Sequence, residues 1–138
     1  MNKRRLLLIL FMCMYSKMAQ AAQYLDHGDH RIHYTTFSSM IIPPDVASAH
    51  GIVRSEQRII LNLSVLKLDQ PISVLISGHV TNLLNQRFKL TFSEVAESDS
   101  LYYLAHHQAL EHDTLRYNLL VELTSGEGIP IKFLRRYD

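Results

Sequence analysis

The chain has 138 residues, with 14 Lys and Arg, 13 Asp and Glu, eight His, one Cys and no Trp. That length supports one domain with a buried core and leaves no room for two. A single cysteine excludes an intrachain disulfide. The basic residues are scattered, with only Arg135-Arg136 adjacent beyond residue 21, so the clustered basic face of a nucleic-acid binder is not legible.

The first residues read as an export signal. Asn2-Lys3-Arg4-Arg5 is a positive start, Leu6 to Tyr15 is an unbroken apolar run, and Ala19-Gln20-Ala21 is a small-x-small cleavage site. A membrane anchor needs roughly 20 apolar residues, and Ser16-Lys17 closes this run too early. Cys13 follows Leu10-Phe11-Met12, which lacks the small residues of a lipidation site. The reading is therefore a signal peptide over 1–21, a mature start at Ala22, a single domain over 22–138 and no stable membrane anchor after cleavage. Cleavage removes Lys3, Arg4, Arg5 and Lys17 and no acidic residue, which leaves ten basic against thirteen acidic residues. The mature chain has no cysteine and must be held by its core alone.

Tyr24 to Tyr34 (YLDHGDHRIHY) carries three histidines. In an extended strand His30 points away from His27 and His33, and those two stand roughly 20 Å apart. A zinc ion needs ligand nitrogens about 2 Å away, so one straight strand cannot chelate. A sharp bend at Gly28 would gather His27, Asp29 and His30. The metal reading, zinc or copper held by His27, Asp29, His30 and His33, with His106 or His107 as added donors, is kept as the alternative.

Short strands separated by turn signals follow. Arg31 to Phe37 is β-branched and aromatic. Pro44 to His50 reads as a helix of about two turns, with Pro44 at its first position and Gly51 at C′. Arg58 to Lys67 places Ile59, Leu61, Leu63 and Val65 on one face. Ile72 to Asn82 places Val74, Ile76 and Val80 on one face, and Gly78 on that face marks a bulge or a close backbone approach. Leu83 to Gln86 links to Arg87 to Val95, which alternates with Phe88, Leu90 and Phe92 inward. Leu101 to Ala105, Leu115 to Leu123 and Ile129 to Tyr137 complete about seven strands. Pro130 cannot donate to a ladder, so the last one is an edge or opens its pairing after Pro130. The prediction is an all-β, antiparallel, immunoglobulin-like β-sandwich with one short helix.

Catalytic chemistry finds little support. There is no G-x-S-x-G elbow and no phosphate-binding glycine loop with its lysine, and the mature chain has no cysteine nucleophile. Glu94 shares the parity of Phe88, Leu90 and Phe92 and reads as a rim residue. Of Tyr102 and Tyr103, one enters the core and the other meets solvent or a partner; the binding-face reading takes Tyr103. No cofactor is implied.

The stretches GDHRIHYTTFSSMIIPPDVASAHGIVRSEQRIILNLSVL, SGHVTNLLNQ, LYYLA and LRYNLLVEL together resemble a family of small exported bacterial proteins, domain of unknown function 4426. The most specific pieces are Gly28-Asp29 with His33-Tyr34, the Pro44 to Ser55 segment and Val80 to Leu84. The resemblance implies the periplasm of a Gram-negative cell and brings no catalytic residues. The histidine matching His33 is typical of the family, whereas His27, His30 and His106-His107 are not. Asn85 stands where the family pattern has glycine. The functional expectation is a non-enzymatic periplasmic module that binds or assists an envelope protein partner. Its expected surface comprises His33, Tyr34, His50 and Arg54, with Tyr103, around the excursion from Pro43 to Arg54.

Overall fold

A computed structural model describes residues 23–109 and 112–137. The expected signal peptide over 1–21 and the expected cleavage site lie outside the described residues. Ten strands form two antiparallel sheets. They are β1 (Gln23–His27), β2 (His30–Ser38), β3 (Arg58–Lys67), β4 (Gln70–Pro71), β5 (Leu75–Thr81), β6 (Arg87–Lys89), β7 (Ser93–Glu97), β8 (Ser100–Gln108), β9 (Thr114–Glu122) and β10 (Gly128–Arg136). The six-stranded sheet runs β1-β2-β3-β8-β7, with β4 pairing β3 at its side, and the four-stranded sheet runs β10-β9-β5-β6.

Alternation builds the core. Ile59, Leu61, Leu63 and Val65 of β3 face Leu115, Tyr117, Leu119 and Val121 of β9, joined by Ile32, Val80, Ile129 and Ile131. Each such side chain, once buried, contributes about 1.5–3 kcal/mol. The result is the expected all-β sandwich with a short helix. Pro130 sits in β10, an edge of the four-stranded sheet as anticipated. Gly78 is a close backbone approach: a Cβ there would meet the Asn118 carbonyl oxygen and stand 2.9 Å from Leu119 Cα.

The strand expected over 87–95 is two strands in different sheets. The chain crosses between them at Leu90, whose N–H donates to the Gly78 carbonyl at 2.9 Å and whose side chain is buried. That split, with β1 and the two-residue β4, takes the count from about seven to ten. Phe88 was expected inward. It lies opposite Val80 on the core side, yet it is 45% exposed, because β6 is a sheet edge with nothing beyond it.

The excursion between β2 and β3 packs on the outer face of the larger sheet. It holds a 3-10 turn (Ser39–Ile41) and α1 (Pro44–Ala49). Pro44 opens the helix and Gly51 follows its C-cap at φ 66°. The N–H groups of Gly51 and Ile52 donate to the carbonyls of Ser48 and Ala47, the paired bonds of a Schellman stop. Ala47 and Ile52 thereby cover Ile60, with Phe37, Ile42 and Leu104 around them. Buried Ser39 closes the loop: its Oγ donates to the Ser55 carbonyl at 2.8 Å and accepts from the Ser55 N–H at 2.9 Å. Among the described residues no helix is long and apolar enough to cross a membrane.

Candidate binding cleft

The histidine-rich segment is a hairpin. Gly28-Asp29 forms a two-residue turn in which Gly28 has φ 59°, the arrangement that puts glycine first in a II′ turn. The bend that chelation required is therefore present, but its consequence differs. His27 lies opposite His30 and shares its face, while His33 lies opposite Tyr24 on the other face, their rings 5.9 Å apart. The expectation that His27 and His33 share a face is thus corrected, because the chain reverses between them. The His27 ring instead bonds Glu127 Oε1 at 2.7 Å, tying β1 to the β9–β10 turn. Among the described residues no group of three or more His, Cys, Asp or Glu side chains is placed to hold a metal ion. Beside the hairpin, Arg31 grips Asp26 at 2.7 and 3.1 Å and lies over Tyr24. The guanidinium hydrogen bond holds the Asp26 carboxyl below its ordinary pKa.

The residues expected to form one binding surface are dispersed. Tyr34 faces inward and stacks on Phe133 at 4.7 Å, while its neighbour His33 faces out. His50 is the exposed C-cap of α1, and Arg54 donates to the Met40 carbonyl at 3.1 Å, so both belong to the excursion. Tyr103 is a correction. It is 4% exposed, with its ring in the core, because β8 parity sends Tyr102 and Leu104 outward. The Tyr103 hydroxyl accepts from the Val74 N–H at 2.9 Å and donates to Glu94 Oε2 at 3.0 Å. Glu94 is accordingly an exposed rim residue whose carboxylate caps a buried phenol.

A cleft of ≈ 470 Å³ opens elsewhere, between the free end of β8 and β6 with its preceding loop. β7 pairs β8 only as far as Leu104, which leaves His106 to Gln108 uncovered on that side. The cleft is lined by Arg58, Asn82, Phe88, Lys89, His106 and Asp113, among others. Arg58 and His106 project from adjacent strands, and Arg58 Nη1 lies 2.7 Å from His106 Nδ1. The guanidinium donates, so His106 accepts as a neutral imidazole. Burial first, and then the Arg58 charge, lower its pKa. Arg58 Nε is buried without a hydrogen-bond partner, and Arg58 makes no ion pair among the described residues.

The remaining walls are fixed by polar contacts. Asp113 is buried, and its Oδ1 accepts from the Leu83 N–H at 3.3 Å. Asn82 Oδ1 accepts from the N–H groups of Leu84 and Gln86 at 3.0 and 2.9 Å, and its Nδ2 donates to Gln86 Oε1 at 2.8 Å. One buried side chain thus shapes the whole turn. Asn85 in that turn has φ 60°, the left-handed conformation that asparagine tolerates best after glycine. This accounts for asparagine at a glycine position.

Behind the cleft, the His107 Nδ1–H donates to the Gln108 carbonyl at 3.2 Å, so Nε2 accepts from the Tyr117 hydroxyl at 2.6 Å. Burial lowers the His107 pKa. Burial, and then Tyr137 beside it, push the Tyr117 phenol well above its usual range. His106-His107 was singled out in the sequence, but Arg58 and Lys89 carried no local pattern that could have marked them.

Residues 24–137 match the model of the family described as Domain of unknown function (DUF4426). The chain is similar to the crystal structure of a DUF4426 family protein from Pseudomonas aeruginosa PAO1, at 28% identity and a TM-score of 0.78, covering 85% of this chain and 94% of that one. It is also similar in fold to a copper-bound variant of FetP from uropathogenic Escherichia coli strain F11, at 11% identity and a TM-score of 0.60, covering 85% of this chain and 95% of that one. FetP of the same strain, expressed recombinantly in the periplasm of E. coli, matches at 10% identity and a TM-score of 0.58, covering 85% and 93%. No curated protein matches the chain.

Proposed function

The chain belongs to the family described as Domain of unknown function (DUF4426), and on that premise we propose that it is a non-enzymatic binding module of the periplasm whose cleft takes a small anionic ligand. One observation carries the reading. The Arg58 guanidinium reaches the cleft with a neutral imidazole as its neighbour, no carboxylate paired to it and a buried N–H left unused. A guanidinium in that state meets a carboxylate or phosphate with two parallel hydrogen bonds. Phe88 gives an apolar wall for the rest of the ligand. Convergent polar groups in a partly apolar concavity are the common form of a ligand site. The export-like N-terminus and the periplasmic expression of FetP support the compartment.

The copper in the FetP variant supports a metal reading of this chain only if donors converge. His33 stands on the face opposite His27 and His30, so the hairpin does not gather all three histidines on one side.

The test is native mass spectrometry of the untagged mature chain from its own envelope extract, beside Arg58→Gln. A small acidic adduct on the wild type, absent from the variant, is the expected result. An adduct kept by the variant, or a bare wild type that no carboxylate or phosphate ester shifts in melting temperature, would overturn the reading.

A further inference from the structure

The basic residues that are scattered in sequence are collected by strand register. Successive opposed residues share a face, so two rows can be read across the four-stranded sheet. One is Lys132, Asn118, His79 and Lys89, and the next is Leu134, Arg116, Thr81 and Arg87. Arg136, opposite Thr114, extends the same face. Val80, Tyr117 and Ile131, at the alternate positions, are core residues, so these rows point outward. Five of the ten Lys and Arg among the described residues therefore lie on one face: Arg87, Lys89, Arg116, Lys132 and Arg136. Strand spacing and rise confine them to roughly 14 by 13 Å. All five are exposed, and none makes an ion pair among the described residues. The acidic residue that the paired strands place on this face, Glu122, lies two rows beyond Asn118.

Apolar side chains accompany the charge. Leu134 stands among the cations at 58% exposed. Leu83 and Leu84, at 65% and 74%, form the tip of the turn that bounds this face, and that turn is held to it by Arg116 Nη2 donating to Asn85 Oδ1 at 2.9 Å.

We propose that this outer sheet face docks reversibly onto an anionic lipid surface, with its cations at the headgroups and the exposed leucines along its margins in the interfacial layer. The face is open and unpaired in charge, which suits a plane of phosphates rather than one bound molecule. Exposed leucines beside unpaired cations match the composition of surfaces that lie on membranes. The acidic balance of the mature chain leaves the negative charge elsewhere, so an anionic surface orients the molecule with this face toward it.

The test is co-sedimentation of the mature full chain with vesicles of phosphatidylglycerol and phosphatidylcholine, against phosphatidylcholine alone, at low and high salt. Binding should require phosphatidylglycerol and fall with salt. Each exposed cation removed should weaken partitioning about fivefold. Arg87→Glu with Lys132→Glu should abolish binding without moving the melting temperature, Leu134→Ser should weaken it at constant charge, and Lys67→Glu on the other sheet should leave most of it. Failure to bind phosphatidylglycerol at low salt would overturn the proposal, as would retention by the double variant or an equal loss with Lys67→Glu. Equal capture by immobilised polyglutamate would reassign the face to an acidic protein.

Discussion

His107 of one sheet and Tyr117 of the other meet inside the core, with Nε2 and the hydroxyl 2.6 Å apart and the rings 5.4 Å between centroids. The contact is a polar rivet between the two layers. Tyr117 continues it by stacking on Phe133 at 4.6 Å and 11°, and Phe133 stacks on Tyr34 at 4.7 Å. An aromatic column thus crosses the sandwich from β8 to β2, and the rivet at its end holds only while His107 is neutral.

That condition sets a pH dependence. Burial depresses the folded-state pKa of His107, and burial with Arg58 depresses that of His106. The unfolded chain therefore binds more protons than the folded one as the pH falls past about 6.5. Stability should be fully present above that value and be lost as the pH drops through the folded-state values. Urea unfolding of the wild type should show a lower midpoint at about pH 5 than at about pH 7. His107→Gln, which cannot titrate, should flatten the slope, and equal slopes would contradict the assignment.

Removing the Tyr117 hydroxyl isolates the rivet from the stack. Tyr117→Phe keeps the ring on Phe133 but leaves the buried Nε2 acceptor unpaired, which should cost about 1–3 kcal/mol. Chemical denaturation checks it. Adding His107→Leu to Tyr117→Phe removes both polar groups and should recover part of the loss, as expected when an unpaired group and not lost packing carries the cost.

Gly78 gives a backbone test. A methyl there runs into the Asn118 carbonyl and Leu119 of the neighbouring strand, atoms that cannot rotate away. Gly78→Ala should lower stability by about 1–3 kcal/mol, as overpacking does. The same change at Gly128, where the nearest atoms belong to the flexible Leu120 side chain, should be milder. Melting temperatures of the two variants should fall in that order.

Much of the fold was legible because period-two alternation survives wherever a strand lies between one core and one solvent face. β9 and β10 show this, and the edge position of Pro130 followed from its missing donor. The alternation Phe88, Leu90, Phe92 could not reveal that the chain changes sheets at Leu90, since parity persists through the crossing. Tyr103 was misplaced for a related reason. The outer face of the larger sheet is itself covered, so Leu104 and Ile60 are apolar on the face that should have looked polar. The cleft was illegible for want of register: Arg58, Lys89 and Asp113 are brought together only by which strand lies beside which. The hairpin histidines were half legible, since Gly28 announced the bend but not the face on which His33 would fall.

The turn after β5 allows paired predictions at adjacent positions. Asn82 is buried and makes three hydrogen bonds that no smaller side chain replaces. Asn82→Ala strands the N–H groups of Leu84 and Gln86 and should cost about 1–3 kcal/mol. It should also loosen the cleft wall, so that amide exchange of residues 83–86 accelerates more than that of β9. Asn85 differs, because its left-handed φ strains any side chain while its Oδ1 accepts only from exposed Arg116. Asn85→Gly relieves the backbone at the loss of one surface hydrogen bond, so its unfolding midpoint should stay within about 0.5 kcal/mol of wild type. If both substitutions cost alike, the turn is held by something other than the Asn82 side chain.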